Sequence, residues 1–310
     1  MTTTEAVTTF VHEGLFYANA AEYLAATVPF VEDGLSAGQP VLVAVPGPNL
    51  QLIRAALDGA ADRVQFADMT RAGRNPGRII PWVLHAFISE HAGQRPRIIG
   101  EPIWAGRSDE EYPACAQHEA LINEAFVGVP ATILCPYDTS RLSPHVLADA
   151  VVTHPVLVEA DGRRPSPGYA PLDLVAAYNL PLTEPAPPFA TLPFDAGGLA
   201  QVRRFVAHEA GRAGLPVDRI ADLQIAVNEL ATNTIRHGGG TGTVRAWQTP
   251  DHFVCDVRDT GRITDPLAGR LPPHIFSERG RGLVIVNHLC DLVRVHTGEG
   301  GTAVRLHVRR

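Results

Sequence analysis

Two different rhythms of apolar residues run along the chain. Up to about residue 180, short β-branched runs alternate with stretches in which apolar residues recur at helical spacing, as at Ile79, Val83 and Phe87. The predicted strands are residues 41–45, 64–67, 97–100, 132–135 and 156–159, and the predicted helices are residues 49–57, 79–91, 109–126 and 144–151. Such alternation predicts an α/β layer domain around a mainly parallel sheet, with ligands at the carboxyl ends of the strands.

The remaining residues have the pattern of an α+β domain. A long amphipathic helix is predicted over 218–236, with Asp218 as its N-cap and Gly238 beginning the glycine run that ends it. Two antiparallel strands (243–247 and 253–257), an apolar helix (283–289) and a closing hairpin (292–296 and 303–308) follow.

A proline-rich stretch separates the two patterns. Five of the thirteen residues from 181 to 193 are proline, which disfavours helix interiors and central strands. We therefore expect a domain over 8–182, a semi-rigid linker over 183–191 and a second domain over 192–310.

Composition excludes several kinds of chemistry. None of the 26 basic residues is lysine, so a Walker A phosphate loop, the protein-kinase fold and Schiff-base catalysis are excluded. A net charge of −7 argues against a nucleic-acid or membrane surface, and no apolar run is long enough to span a bilayer. The first residues do not resemble a signal peptide, so a cytoplasmic protein is expected. The four cysteines, at 115, 135, 255 and 290, are interpreted as small buried hydrophobic residues.

Four short motifs in the second domain could bind a nucleotide. Glu229 and Asn233 share one face of the predicted long helix, and a carboxylate beside an amide suits a divalent cation and a proton transfer. Asp259 ends a strand and could accept a hydrogen bond from the exocyclic amine of a purine. The remaining motifs are Gly280 and Gly282 before a helix, which could cradle phosphate, and Thr302 in a turn. Taken singly, each is also explained as a polar helix face or an ordinary turn.

The order E-L-x-x-N, D-x-G, G-x-G-L and G-T resembles the boxes of the GHKL ATPase superfamily, and looks closest to the RsbW-like anti-sigma serine kinases. The resemblance implies a layer of helices on a mixed sheet that binds Mg-ATP without a Walker lysine. It implies the following roles: Glu229 as general base, Asn233 as Mg²⁺ ligand, Asp259 and Gly261 at adenine, Gly280, Arg281, Gly282 and Leu283 at the phosphates, and Thr302 near the base. One position departs from the family pattern, because Ile263 replaces the second glycine of the D-x-G box.

The first domain resembles the MEDS sensory domain. The motifs are His12 with Tyr17, Gly34 with Gly38, Arg74–Gly77, Gly100–Trp104, His118–Glu119, Cys135–Asp138 and His154–Pro155. The resemblance implies sensing of a small signal. Our candidates for its pocket are Glu101, Trp104, His118, Glu119, Tyr137 and Asp138. Trp104 could instead be a core residue, and His118 with Glu119 a pair on a helix surface.

Together these resemblances imply a signalling switch in which an unknown small molecule controls an Mg-ATP-dependent serine/threonine kinase. The implied partners are an anti-anti-sigma STAS protein, which is phosphorylated, and a sigma factor, which is sequestered; a homodimer is possible. Two alternatives stay open. One is a sequestering module that binds ATP without phosphotransfer, and the other is a histidine kinase, for which His208 is the one candidate acceptor.

Overall fold

A computed structural model describes residues 10–272 and 281–310. The chain forms two compact units. The first comprises the described residues up to Gly73 together with Trp82–Ala176, and the second comprises Arg74–Pro81 and Ala177–Arg310. The segment Arg74–Pro81 therefore belongs to the second unit although it interrupts the first in sequence.

The first unit is built on a seven-stranded sheet. Its strands are β1 (Val11–Tyr17), β2 (Val41–Val45), β3 (Gln65–Asp68), β4 (Arg97–Gly100), β5 (Thr132–Asp138), β6 (Val156–Glu159) and β7 (Gly162–Pro165). They lie in the order β3-β2-β4-β5-β1-β6-β7. Every neighbouring pair is parallel except β6 and β7, which form an antiparallel hairpin. The prediction of an α/β domain with a mainly parallel sheet is confirmed.

Helices connect these strands, and a last helix follows β7. They are α1 (Ala20–Ser36), α2 (Gly47–Leu57), α3 (Met69–Ala72), α4 (His85–Glu90), α5 (Tyr112–Ala125), α6 (Pro144–Thr153) and α7 (Pro171–Ala177). The single helix predicted over 79–91 is wrong in detail, because Ile79–Leu84 is a π-helix and only His85–Glu90 is α-helical. Pro81 lies inside the π segment and has no N–H to donate, which accounts for the irregular hydrogen bonding there.

The second unit packs helices on a five-stranded sheet. Its strands are β8 (Ala190–Phe194), β9 (Gly242–Gln248), β10 (His252–Asp259), β11 (Leu292–Gly298) and β12 (Gly301–Arg309), and its helices are α8 (Leu199–Arg212), α9 (Val217–His237) and α10 (Arg281–Leu289). The strand order is β11-β12-β10-β9-β8, and all described pairs are antiparallel rather than mixed. The α+β architecture is confirmed. Asp218 is not the N-cap of α9, since Pro216 occupies that position and Asp218 lies in the first turn.

The hydrophobic core of the second unit explains which face of each helix is hidden. The buried residues of α8 (Val202, Val206 and Ala210) pack with those of α9 and with the apolar side of the sheet. His208 lies elsewhere on α8 and its side chain is 68% exposed. Because α8 is part of this core, the described residues place the candidate phosphoacceptor His208 in the helical layer that packs on the sheet, and not on a separate helical hairpin.

Polar contacts fix two irregular segments on the second unit. Asn75 Nδ2 donates to the backbone oxygen of Asn287 at 2.8 Å, and the Arg74 guanidinium lies 2.8 Å from the Asp291 carboxylate. In the stretch predicted as a linker, Glu184 pairs with Arg245 and lies 2.9 Å from Arg258. Residues 183–191 are therefore bonded to this unit, and β8 begins within them.

The length and hydrophobicity of the described helices show whether any of them could span a membrane. In residues 10–272 and 281–310, none combines enough length with enough apolar character to cross a bilayer.

Candidate functional site

The polar face of α9 carries Glu229 and Asn233 side by side. The opposite face contributes Ala226, Val227 and Leu230 to the core, so the amphipathic pattern of the helix directs both polar side chains away from it. Gly282, in the first turn of α10, lies directly against them. A Cβ atom at Gly282 would be 2.9 Å from Glu229 Oε2 and 3.4 Å from Asn233 Nδ2. The structure therefore brings together three residues that are more than fifty positions apart at their widest separation.

Both polar groups of this pair are available for a ligand. Glu229 and Asn233 are half-buried, and within the described part of the chain neither makes a hydrogen bond or an ion pair. A carboxylate and an amide oxygen are the ligand types that Mg²⁺ takes from proteins, and the first N–H groups of a helix favour phosphate. The donor set therefore fits a magnesium nucleotide. Gly280 lies outside the described residues. Arg281 is exposed at the start of α10, and Leu283 packs against the core.

The second half of the site is centred on Asp259, the last residue of β10. Its Oδ2 accepts a hydrogen bond from Thr234 Oγ1 at 2.7 Å, and its Oδ1 accepts one from the backbone N–H of Gly261 at 2.8 Å. These two donors fix the plane of the carboxylate. Each oxygen keeps a further lone pair for an amine donor, as the proposed contact with adenine requires.

Gly261 and Thr302 complete this half. A Cβ at Gly261 would lie 2.6 Å from the backbone oxygen of His237, so a larger residue cannot take this position without a shift of the backbone. Thr302 Oγ1 donates to the backbone oxygen of Gly261 at 2.9 Å, and Thr302 is paired with Asp259 in the sheet register. At the departure from the family pattern, the backbone N–H of Ile263 donates to Thr297 Oγ1 at 3.0 Å.

The predicted sensory pocket divides into separate groups. Glu101 follows β4 at the carboxyl edge of the sheet, where Asn49 Nδ2 donates to both of its oxygens at 3.0 and 2.8 Å. Burial raises the pKa of Glu101 to about 8, against the lowering effect of the Asn49 and Tyr23 hydrogen bonds. Asp138 ends β5 on this edge and also raises that pKa. The half-buried Trp104 makes a different contact, because the Arg107 guanidinium lies over its ring, 4.0 Å from the ring centroid.

Glu119 belongs to a second, fully buried group on the α5 side of the sheet. Its Oε2 is 3.3 Å from His12 Nε2 and 3.2 Å from His154 Nε2. Cys135 Sγ is 3.4 Å from His12 Nε2. We call these four residues the His–Glu–Cys cluster. His118 is buried beside Glu119 on α5, so the alternative of a surface pair is wrong.

The cluster has an unusual electrostatic environment. Burial lowers the pKa of His12, and the neighbouring His154 lowers it further. Burial alone raises the pKa of Glu119, but the contacts with His12 and His154 outweigh it and hold that pKa well below its ordinary range. The ring of the predicted pocket residue Tyr137 meets that of His154 edge-on, with centroids 5.4 Å apart.

Sequence reasoning did not select three members of this cluster, although His12, Cys135 and His154 all stand in the motifs that carried the MEDS resemblance. The signal that could have joined them is the parallel register of β1 on β5, where Gly14 faces Cys135. Because β1 was not predicted, that register was not accessible from the sequence pattern.

The comparisons with known proteins agree with these two units. Residues 11–155 match the family model described as MEthanogen/methylotroph, DcmR Sensory domain. Residues 192–308 match the Histidine kinase-like ATPase domain. The serine-protein kinase RsbW of Halalkalibacterium halodurans is 31% identical over 122 residues, which cover 36% of this chain and 75% of that protein. The serine-protein kinase RsbW of Bacillus subtilis is 32% identical over 115 residues, covering 33% and 72% respectively.

A solved structure of the RsbU and RsbW domains of Rv1364c from Mycobacterium tuberculosis is also similar. It is 22% identical, and the match covers 40% of this chain and 32% of that chain, with a TM-score of 0.31.

Fold, site and family models together define a signalling protein that joins a MEDS sensory domain to a histidine kinase-like ATPase domain. Through its second unit, the chain belongs to the RsbW family of serine-protein kinases. Both resemblances drawn from the sequence motifs are confirmed.

Proposed function

We propose that this protein is an Mg-ATP-dependent serine/threonine kinase of the anti-sigma type, controlled by its MEDS unit. Its substrate is a hydroxyl of an anti-anti-sigma STAS-domain protein, and its second partner is a sigma factor that it sequesters. It acts in the cytoplasm, where both kinds of partner would be found. The support is membership of the RsbW family together with the arrangement of Glu229, Asn233, Gly282 and Asp259.

Each residue has a defined task in this proposal. When bound, Mg-ATP supplies the γ-phosphoryl group and the positive charge beside it. Glu229 takes the proton from the acceptor hydroxyl as the hydroxyl oxygen bonds to the γ-phosphorus. The bond from that phosphorus to the β,γ-bridging oxygen breaks, and ADP leaves. Asn233 contributes an amide oxygen to the cation, and the N–H groups at the start of α10 stabilise negative charge on the phosphates. Asp259 accepts a hydrogen bond from the exocyclic amine of adenine.

One observation carries the proposal. Glu229 and Asn233 have no partner within the described part of the chain, and both lie against Gly282 at a helix start. If Glu229 and Asn233 served only solubility, nothing would require them to lie against Gly282. Because Gly282 has no side chain, it leaves space for a ligand beside the start of α10. The signal for the kinase is taken up by the first unit, in our proposal at the carboxyl edge that carries Glu101 and Asp138.

Calorimetric titration of Mg-ATP into the full chain tests the nucleotide site. We expect saturable binding that weakens at least tenfold in Asn233→Ala, because the cation loses a protein ligand. The matched control is Asn228→Ala, which removes an asparagine from the same helix that bonds Arg203 at 2.6 Å instead. The proposal fails if the folded wild type does not bind, or if both variants weaken binding equally.

A further inference from the structure

The His–Glu–Cys cluster of the first unit gathers four potential metal ligands from separate parts of the chain. His12 lies on β1, Glu119 on α5 and Cys135 on β5, and His154 directly follows α6. All four are at most 1% exposed. Their nearest ligand atoms all lie within 4.8 Å of one another. Nothing in the proposed nucleotide chemistry uses these residues.

Hydrogen bonds behind the cluster fix how the His12 ring is protonated. Asn123 Nδ2 donates to the backbone oxygens of Thr153 at 2.8 Å and Ala120 at 3.2 Å, so the amide must present Oδ1 to the other side. That Oδ1 is 3.1 Å from His12 Nδ1, which therefore carries the hydrogen. In the neutral ring, Nε2 is then a bare lone pair pointing into the cluster.

The same holds for His154. Its Nδ1 is 2.8 Å from the backbone oxygen of Ala150, which can only accept, so Nδ1 carries the hydrogen and Nε2 has a lone pair. Partners of this kind behind the ring, an amide or a backbone carbonyl, are what orient metal-binding histidines in proteins.

The centre of the cluster is therefore lined almost entirely by acceptors. They are two imidazole nitrogens, a carboxylate and a sulfur, and the thiol hydrogen of Cys135 can serve only one of them. In the described part of the chain, both oxygens of Glu119 and Nε2 of His154 are buried without a hydrogen-bond partner. Buried acceptors that face each other without a donor are strongly unfavourable, and a cation at their centre removes the conflict.

Three of the six distances between the ligand atoms are those of a tetrahedral metal site, and the other three are at most 4.8 Å. Two nitrogen or oxygen ligands about 2.0 Å from a tetrahedral centre lie about 3.3 Å apart, and a nitrogen and a sulfur lie about 3.5 Å apart. The corresponding distances here are 3.3 and 3.2 Å from Glu119 to the two histidines, and 3.4 Å from His12 to Cys135.

We propose that His12 Nε2, Glu119 Oε2, Cys135 Sγ and His154 Nε2 bind one divalent transition-metal ion, and that this ion is Zn²⁺. On binding, the Cys135 thiol releases its proton to solvent and a zinc–sulfur bond forms. The thiolate and the carboxylate together balance the charge of the ion, so the buried site is neutral. Because the protein fills all four positions, the ion holds β1, α5, β5 and the end of α6 together and has no open position for catalysis.

Gly14 supplies the space that this arrangement needs. A Cβ at Gly14, one step along the same face of β1 from His12, would lie 3.0 Å from Cγ of the His154 ring. All four cysteines are buried, as expected from the sequence, and the proposal adds a ligand role for Cys135 that the sequence did not indicate.

The test uses cobalt as a spectroscopic substitute for zinc in the full chain. Because the site is closed, the protein is unfolded in denaturant with chelator, refolded with excess Co²⁺ or Zn²⁺ and desalted before its metal content is measured. We expect about one ion retained per chain, with the visible absorption of tetrahedral Co²⁺ and a thiolate-to-cobalt charge-transfer band. Cys135→Ser should lose that band and Glu119→Gln should retain at least tenfold less metal. The matched control Cys115→Ser, another buried cysteine of the first unit, should match the wild type.

Two outcomes overturn the proposal. If refolded wild type has the circular dichroism spectrum of the protein as purified but retains no metal, the cluster is only a hydrogen-bonded network of side chains. If Cys115→Ser, Cys255→Ser or Cys290→Ser abolishes the charge-transfer band, the metal is held elsewhere. If Cys135→Ser does not fold, the other three variants still decide the question. A charge-transfer band that persists in Cys115→Ser, Cys255→Ser and Cys290→Ser leaves Cys135 as the cysteine that binds the metal. Because the readout involves no nucleotide, its failure is distinct from failure of the kinase proposal.

Discussion

Each unit of this protein contains polar side chains that have no hydrogen-bond partner among the described residues, but the two groups differ in exposure. In the second unit, Glu229 and Asn233 are half-buried, so water can serve them until a ligand arrives. In the first unit, Glu119 and His154 are sealed from solvent. The same chemical deficiency therefore has different consequences. An accessible group suits a ligand that exchanges in every cycle, whereas a sealed group needs an occupant acquired during folding.

The largest expected effect is a loss of phosphotransfer without a loss of stability, on substitution of Glu229 in the accessible group. Glu229→Gln keeps the shape of the side chain but cannot take a proton, so phosphotransfer to a STAS partner should fall by about 10²–10⁴-fold. The midpoint of urea unfolding should not change, because the carboxylate supports no contact in the described structure. Transfer that survives at the wild-type rate would instead assign the base to another group.

The same variant also decides between transfer and sequestration. If ATP is only a conformational ligand, the wild type should yield no phosphorylated hydroxyl, and Glu229→Gln should leave partner affinity unchanged. Acid-labile phosphate on this chain, mapped to His208, would support the histidine-kinase alternative.

The next effect concerns Glu101, a buried acid outside both groups. Its pKa of about 8 in the folded protein is higher than in the unfolded chain, so the folded state binds the extra proton. The contribution of Glu101 to the free energy of unfolding should therefore be greatest below about pH 4.5. This contribution should fall by up to roughly 1.4 kcal/mol per pH unit as the pH rises to about 8.

Urea unfolding of Glu101→Gln between pH 5 and pH 8.5 measures this dependence. The variant keeps a neutral side chain at every pH, so it should gain stability relative to wild type as the pH rises. Parallel curves for the two proteins would show that Glu101 ionises normally. Glu111→Gln serves as a control. Burial raises the pKa of Glu111, but its contacts with Ser108 and Arg107 hold that pKa below the ordinary value. Its carboxyl is therefore ionised in both the folded and the unfolded chain throughout this range, so the difference in stability from wild type should be nearly independent of pH.

A smaller effect tests the packing around the sealed group. In Gly14→Ala the new methyl group presses on the His154 ring and should reduce the free energy of unfolding by about 1–3 kcal/mol. Gly100→Ala is the matched control on the same sheet, because a Cβ there meets nothing within 4 Å. Equal stability of the two variants would mean that the His154 ring moves aside freely.

The smallest effect belongs to a partly exposed ion pair. Glu159 and Arg164 lie 2.8 Å apart on the β6–β7 hairpin, with side chains 35% and 45% exposed. Glu159→Gln should change the free energy of unfolding by less than about 1 kcal/mol, since solvent screens the pair. A larger loss would show that exposure is a poor guide to the energetic role of polar groups in this protein.

The sequence pattern predicted the second unit better than the first, for a physical reason. The helix expected over 218–236 is Val217–His237, and its apolar stripe is long enough to be unambiguous. In β1, by contrast, the buried His12 and Glu13 interrupt the apolar run, so the strand has no readable period. α1 also went unpredicted, although Asn19 caps it by accepting from the backbone N–H of Glu22.

The order of motifs along the chain was enough to name the candidate nucleotide-site residues, whereas the buried cluster of the first unit could not be assembled from the sequence. The residues around Asp259 and Glu229 could be named because each stands in a motif with a family counterpart. Their roles stay predictions. Glu119 could be named only as one candidate of six, because its partners come from β1, β5 and the end of α6. A set assembled by sheet register leaves no local spacing in the sequence.

The contact between Asn75 and Asn287 has a consequence for how the chain acquires its structure during synthesis. The two residues are 212 positions apart, and both belong to the second unit. The ribosome therefore releases Arg74–Pro81 long before the residues on which this segment packs. Loop closure at such a separation adds little to the free-energy cost, which grows only with the logarithm of length, but it delays folding. The second unit is thus completed by a segment that must wait until Asn287 has been translated.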